Sequence, residues 1–154
     1  MSREDVELVR RVYEVDGPFW LPLLPDEERA LLDRLFGGDL YDEQLEVVMP
    51  PDYPEGAQVH VGRSGMARLI ATLRDSWTSW RFEAERFIDA GHCVIVLTRV
   101  VAEGGHSGLG AVQETAHVWK VRGGRLTSIQ IYRDRLQALE ATGVSDSSAE
   151  GGGA

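Results

Sequence analysis

Apolar residues recur at helical spacing in the first half of the chain and alternate with polar ones in the second. Val6, Val9, Val12 and Tyr13 fall on one helical face. Ser2 is placed to cap that helix, with Asp5 three residues on, and Asp16-Gly17-Pro18 ends it. Phe19, Trp20, Leu21, Leu23 and Leu24 form a hydrophobic connector broken by Pro22 and Pro25. Asp26 then caps a second helix whose buried side is Ala30, Leu31, Leu32, Leu35 and Phe36, and Gly37-Gly38 stops it. Met66, Leu69, Ile70, Leu73, Trp77 and Trp80 keep a 3.6-residue period and predict a third helix from Ser64 to about Trp80.

From Arg81 the pattern becomes that of strands. Residues 81–89, 93–103, 111–121 and 126–133 read as four long strands, with shorter ones at 45–49 and 59–61. Arg122-Gly123-Gly124-Arg125 is a hairpin turn, and a short helix follows Asp134 and stops at Gly143. Helices segregated from antiparallel strands make the fold α+β. Three N-terminal helices packed on one face of a curved sheet would close a deep pocket. Residues 1–144 are expected to form one domain, and the tail SDSSAEGGGA, residues 145–154, to be disordered.

The formal net charge of −9 and pI of about 4.9 argue against nucleic acid or an anionic membrane as a partner, since both select a basic face. The charged start MSREDVELVRRVYE lacks the apolar core of a signal peptide, and no apolar run approaches a membrane span of about 20 residues. The single cysteine, Cys93, cannot form an internal disulfide, so a cytoplasmic protein is expected. His60, His92 and His106 show no metal-ligand spacing, and GGHSGLG (104–110) is not a strand-to-helix phosphate loop. No metal or cofactor is called for.

REDVELVRRVYE, VHVGRSGMARLI, RFEAERFIDAGHCVIVLTRV and AHVWKVRGGRLTSIQIYRDRLQALEATG together resemble the SnoaL-like domains of the nuclear transport factor 2-like and ketosteroid isomerase-like superfamily. The resemblance covers roughly residues 3–16 and 40–144; residues 17–39 depart from the usual short connection. It implies a cone-shaped α+β barrel, a curved mixed sheet wrapped around a cavity and closed by helices. It further implies a homodimer through the sheet's outer face, and a small hydrophobic molecule as partner.

The superfamily's catalytic carboxylates do not carry over. Epoxide hydrolases of this type use an arginine and a carboxylate two apart on the long central strand, positions that match Arg99 and Val101. Their second carboxylate matches Ile131 once the following helix sets the alignment, which leaves Asp134 as a helix cap. The ketosteroid isomerase pattern matches Tyr13 loosely for its tyrosine, Val47 or Glu46 for its base, and about Ala116 for its buried acid. Polyketide cyclases of the SnoaL type need an acid/base group, for which His117 is a candidate. If Ala116 faces the cavity, His117 and Trp119 face outward.

Arg99 reads either as a structural ion pair or as an anchor for an anionic or carbonyl group. The candidate catalytic residues are therefore Arg99, Tyr13 and His117. The candidate pocket is Tyr13, Trp20, Leu73, Trp77, Leu97, Arg99, Val101 and Ile131, although such tryptophans are more often simply core. Two functions are compatible: a cofactor-free cyclase, isomerase or hydrolase acting on a small hydrophobic carbonyl or polyketide-like compound, and a non-catalytic ligand-binding or dimerisation module.

Overall fold

The structure is a computed structural model, and it describes residues 3–16, 25–50, 59–104 and 110–144. The Ser2 cap, the connector containing Trp20, the proline-rich loop after Pro50, most of the GGHSGLG loop and the 145–154 tail lie outside the described residues, as do the side chains of Leu73, Trp77 and Trp80.

Helix α1 (Arg3–Arg11) runs into a π-helical turn (Val12–Asp16), followed by α2 (Pro25–Gly37), β1 (Tyr41–Val48) and β2 (Val59–Val61). Then come α3 (Gly62–Ser76), β3 (Trp77–Asp89), β4 (Val94–Gly104), β5 (Gly110–Arg122), β6 (Arg125–Tyr132) and α4 (Arg135–Thr142). The strands make one mixed sheet in the order β2-β1-β6-β5-β4-β3, in which only β1 and β6 are parallel. This is the α+β architecture that the element order predicts.

Two boundaries differ from the sequence reading. Helix α3 stops at Ser76, and Trp77 to Trp80 extend β3 by pairing with β4, Trp80 opposite Ala102. The tryptophans satisfy a helical period, but aromatic and threonine residues also suit a strand, and the long-range ladder decides. Strand β1 begins at Tyr41 and not at Leu45, because buried Tyr41 pairs with Leu126 beyond the polar stretch Asp42–Gln44.

The sheet buries both faces. Side chains alternate along each strand and paired residues share a face, so the register sorts them. One row runs His60, Val47, Ile129, Trp119, Val94 across β2, β1, β6, β5 and β4, and it belongs to the main core with Val9, Val12, Leu32, Leu35, Leu69 and Ile70 of α1 to α3. This is the inner, helix-covered face. The opposite face holds Ile88, Cys93, Ile95, Ala116 and Val118, packed under Ala138 and Leu139 of α4.

Helix α4 is fixed at both ends. Asp134 Oδ1 accepts the Leu136 amide at 2.8 Å, and Gly143 closes the helix in the left-handed conformation at φ 78°. Asp134 is thus an N-cap. Asp134→Ala is expected to cost about 1 kcal/mol, read as a fall in the urea midpoint with an unchanged slope.

Candidate functional site

The π-helical turn that ends α1 carries Tyr13 onto the inner face of β5. Trp119 Nε1 donates to Tyr13 Oη at 2.8 Å, and Tyr13 Oη lies 2.7 Å from His117 Nδ1. An indole N–H can only donate, so Tyr13 accepts from Trp119; with the imidazole proton on Nε2, the Tyr13 hydroxyl donates to His117 Nδ1. The rings of Tyr13 and His117 stack at 6.1 Å, and Phe87 meets Tyr13 edge-on at 5.7 Å. The Arg10 guanidinium lies over the Phe87 ring, 4.4 Å from its centroid.

Burial sets the protonation states. His117 is 3% exposed, and loss of solvation lowers its pKa to about 3. Burial drives the Tyr13 phenol far above its usual value, against a smaller opposing effect of the Trp119 hydrogen bond. Both side chains are neutral at pH 7. Around them Tyr13, Phe87 and Ile131 pack on the core and are themselves partly buried.

One row beyond His117, Thr98 and Thr115 face each other across β4 and β5. They are 0% and 4% exposed, and their hydroxyls are 2.7 Å apart. Nothing in the sequence reading singled them out, because a threonine in a β-branched strand reads as an ordinary strand former. The available signal was their parity with His117 at positions where apolar residues would otherwise continue.

The register corrects the sequence-based site in one respect. Ile131 pairs with His117, so those two share the inner face with Tyr13. Leu97, Arg99 and Val101 pair with Ala116, Glu114 and Val112, and so lie on the α4 face. They cannot line the same space as Tyr13. The assignment of Ala116 to the cavity is therefore one residue out, and a shift of one residue along a strand exchanges its faces; His117 and Trp119 point inward. The same alternation leaves Val47 buried and Glu46 exposed, as the sequence reading expects.

Arg99 is an ion-pair member: its Nη2 lies 3.4 Å from Glu85 Oε2. Glu85 sits where the β3–β4 register shifts, and it also pairs with Arg135, which reaches Glu114 at 3.5 Å. Hydrogen bonds from Arg135 hold the Glu85 carboxyl below its usual range. No group of three His, Cys, Asp or Glu side chains with metal-binding geometry is present among the described residues. Among the same residues, no helix is long and apolar enough to cross a membrane.

The profile of the SnoaL-like domain matches residues 28–129. The chain belongs to the SnoaL-like domain family. No curated protein matches the chain in sequence. Solved structures match across nearly the whole fold. An NTF2-like protein of unknown function from Burkholderia pseudomallei is 19% identical with a TM-score of 0.63, over 91% of this chain and 97% of that one. TerC, co-crystallised with polyporic acid, is 18% identical with a TM-score of 0.63, over 91% and 98%. A protein from Catenulispora acidiphila with a ketosteroid isomerase-like fold, in complex with trimethylamine, is 15% identical with a TM-score of 0.57, over 94% and 96%. At these identities the likeness is one of fold. The SnoaL-like domain of this chain shares the fold of these structures and carries a tyrosine–histidine–tryptophan chain on the inner face of its sheet.

Proposed function

We infer that this SnoaL-like protein binds a small, mainly apolar molecule on the inner face of its sheet, beside Tyr13 and His117. It holds that molecule through neutral hydrogen-bonding groups and does not act by acid/base chemistry. The observation that carries this reading is the buried Trp119–Tyr13–His117 chain, a hydrogen-bonded polar element set in an otherwise apolar, aromatic wall. Ligand sites combine such a wall with a few convergent polar groups.

The neutral state of those groups favours binding over turnover. A general acid or base works best with a pKa near the operating pH. His117 is displaced to about 3 and Tyr13 upward, so neither exchanges protons readily at pH 7. The inner-face positions around His117, namely Val96, Thr98, Thr115 and Ile131, carry no carboxylate. Arg99, the group that would polarise an oxyanion in a cyclase, isomerase or hydrolase, lies on the opposite face and pairs with Glu85. The fold relatives crystallised with polyporic acid and with trimethylamine support a small-molecule role for the scaffold.

The test is amide chemical-shift mapping with a panel of small aromatic and alicyclic compounds. Compounds that raise the melting temperature are expected to shift the amides of Phe87, Val96, His117 and Ile131. Shifts centred on Leu97, Arg99 and Val101 would place the site on the wrong face and end this reading.

A further inference from the structure

The inner row that carries Trp119 ends at His60 on the edge strand β2. His60 is 6% exposed, and its Nδ1 is buried without a hydrogen-bond partner among the described residues. In the charged ring both nitrogens are donors, so Nδ1 would carry a proton with no acceptor. A buried charge left in that condition costs more than the neutral ring does. Burial, and then the Arg68 cation, hold the His60 pKa below the usual histidine value, against a smaller effect of a bond with the Gly65 backbone.

The strand that carries this ring is lightly held. It has three residues and pairs on one side only, with β1. Val59 and Val61 are exposed, so His60 is its one buried side chain. Gly62 follows in the left-handed conformation at φ 66°, a turn that suits a pivot, and α3 begins there. The first turn of α3 lies directly on the strand: a Cβ at Gly65 would stand 2.7 Å from the His60 carbonyl carbon. Pairing fixes which face a strand side chain takes, so the ring reaches water only when the strand leaves β1.

The charges near the strand do not receive the proton. Glu43 and Glu46 stand on β1, and Glu46 pairs with Val61, which puts it on the face opposite the imidazole. Helix α3 brings Arg63 and Arg68, and Arg63 is paired with Asp33 of α2. None of these groups bonds Nδ1, and Arg68 opposes a second positive charge beside it.

We propose that β2 is an acid-released edge strand with His60 as its latch: a proton on the imidazole frees residues 59–61 from β1 while the central strands stay paired. Edge segments open at lower free energy than a core does. Departure of β2 bares the edge of β1 and brings water to Val47, the next residue of the inner row. The closed strand holds the neutral ring, so it is fully favoured above pH 6.5 and loses ground as pH falls below that value. In that window the open population rises by up to about tenfold per pH unit. The proposal stands independently of the ligand-binding reading.

Amide hydrogen exchange of the full chain at pH 7.5 and 5.5 tests it, each rate being divided by its intrinsic value. The opening constant of the protected amides among residues 59–61 is expected to rise by up to about tenfold at the lower pH. At both pH values these amides should open more readily than those of residues 94–98 and 115–119. In His60→Leu, which does not titrate, the opening constant of residues 59–61 should be the same at the two pH values.

A wild-type opening constant that stays within about twofold would overturn the latch. So would a rise that persists in His60→Leu. Equal opening constants for residues 59–61 and for the central strands would show that β2 leaves only when the whole sheet unfolds, and would overturn local release. That last comparison needs the wild type alone, and so decides the matter even where the leucine variant fails to fold.

Discussion

Tyr13→Phe is expected to destabilise the protein by about 2–6 kcal/mol although it removes a single oxygen. The hydroxyl serves two buried partners, accepting from Trp119 Nε1 and directing its proton at His117 Nδ1. Trp119 is 4% exposed and His117 3%, so neither can recover its bond by turning to bulk water. A buried polar group left without a partner costs about 1–3 kcal/mol, and the substitution strands two. Phenylalanine keeps the edge contact with Phe87, so loss of packing contributes little. For a chain of this size each kcal/mol corresponds to about 2–4 °C in melting temperature, which places the fall on the order of 10 °C. The measurement is urea unfolding, in which the midpoint should drop with the slope unchanged. A loss under about 0.5 kcal/mol would mean that water replaces the hydroxyl and that the chain of bonds does not pin α1 to the sheet.

Acid should weaken the fold earlier than its carboxylates alone would require. The folded-state pKa of His117, about 3, lies below the 6.5 of an unperturbed histidine, and burial is the cause. A group lowered in this way contributes its full stability above pH 6.5 and loses it as pH falls toward 3. Each pH unit in that window costs up to about 1.4 kcal/mol, or about 2 kcal/mol by pH 5. His60 adds to the same window, because burial lowers its pKa as well; its Nδ1 is buried without a hydrogen-bond partner among the described residues. Glu85, held down by Arg135, adds its own loss only below about pH 4.5.

His117→Gln isolates the first contribution, since glutamine can still bond the Tyr13 hydroxyl but does not titrate. The variant should be less stable than wild type at pH 7.5, and the gap should close by about 2 kcal/mol by pH 5. Parallel stability curves for the two proteins would show that His117 is not held neutral in the fold.

The two effects meet at one element. The π-helical turn after α1 delivers Tyr13 to the sheet, and wide turns of this type often mark functional positions within helices. Weakening the Tyr13 bond, by substitution or by acid, loosens the same cover over the space beside His117.

How much of this could be read from the chain alone differs by residue. Asp134 was legible: a helix-capping aspartate before Arg135 to Thr142, closed by Gly143, is a local pattern, and local geometry carries it out. Tyr13 was legible as a residue near the site because the period of α1 places it on the buried side. Arg99 was legible as a costly charge that requires a partner, but the partner, Glu85, stands fourteen positions away at a register shift that no sequence pattern marks. Thr98 and Thr115 were not legible, since each is an unremarkable strand residue and only the pairing of β4 with β5 brings their hydroxyls together.

By itself the sequence determined the class of fold, the order of its elements, and the caps and turns at Asp134, Gly143 and Arg122–Arg125. All of these depend on residue type and on spacing within a few positions. The tertiary structure decided which face of the sheet each strand residue occupies. A strand repeats every two residues, so an alignment uncertain by one position leaves both faces open. Pairing of His117 with Ile131, and of Leu97 with Ala116, settled that choice through contacts between distant segments. It set Tyr13, His117, Thr98 and Thr115 on the inner face, and Arg99 outside it.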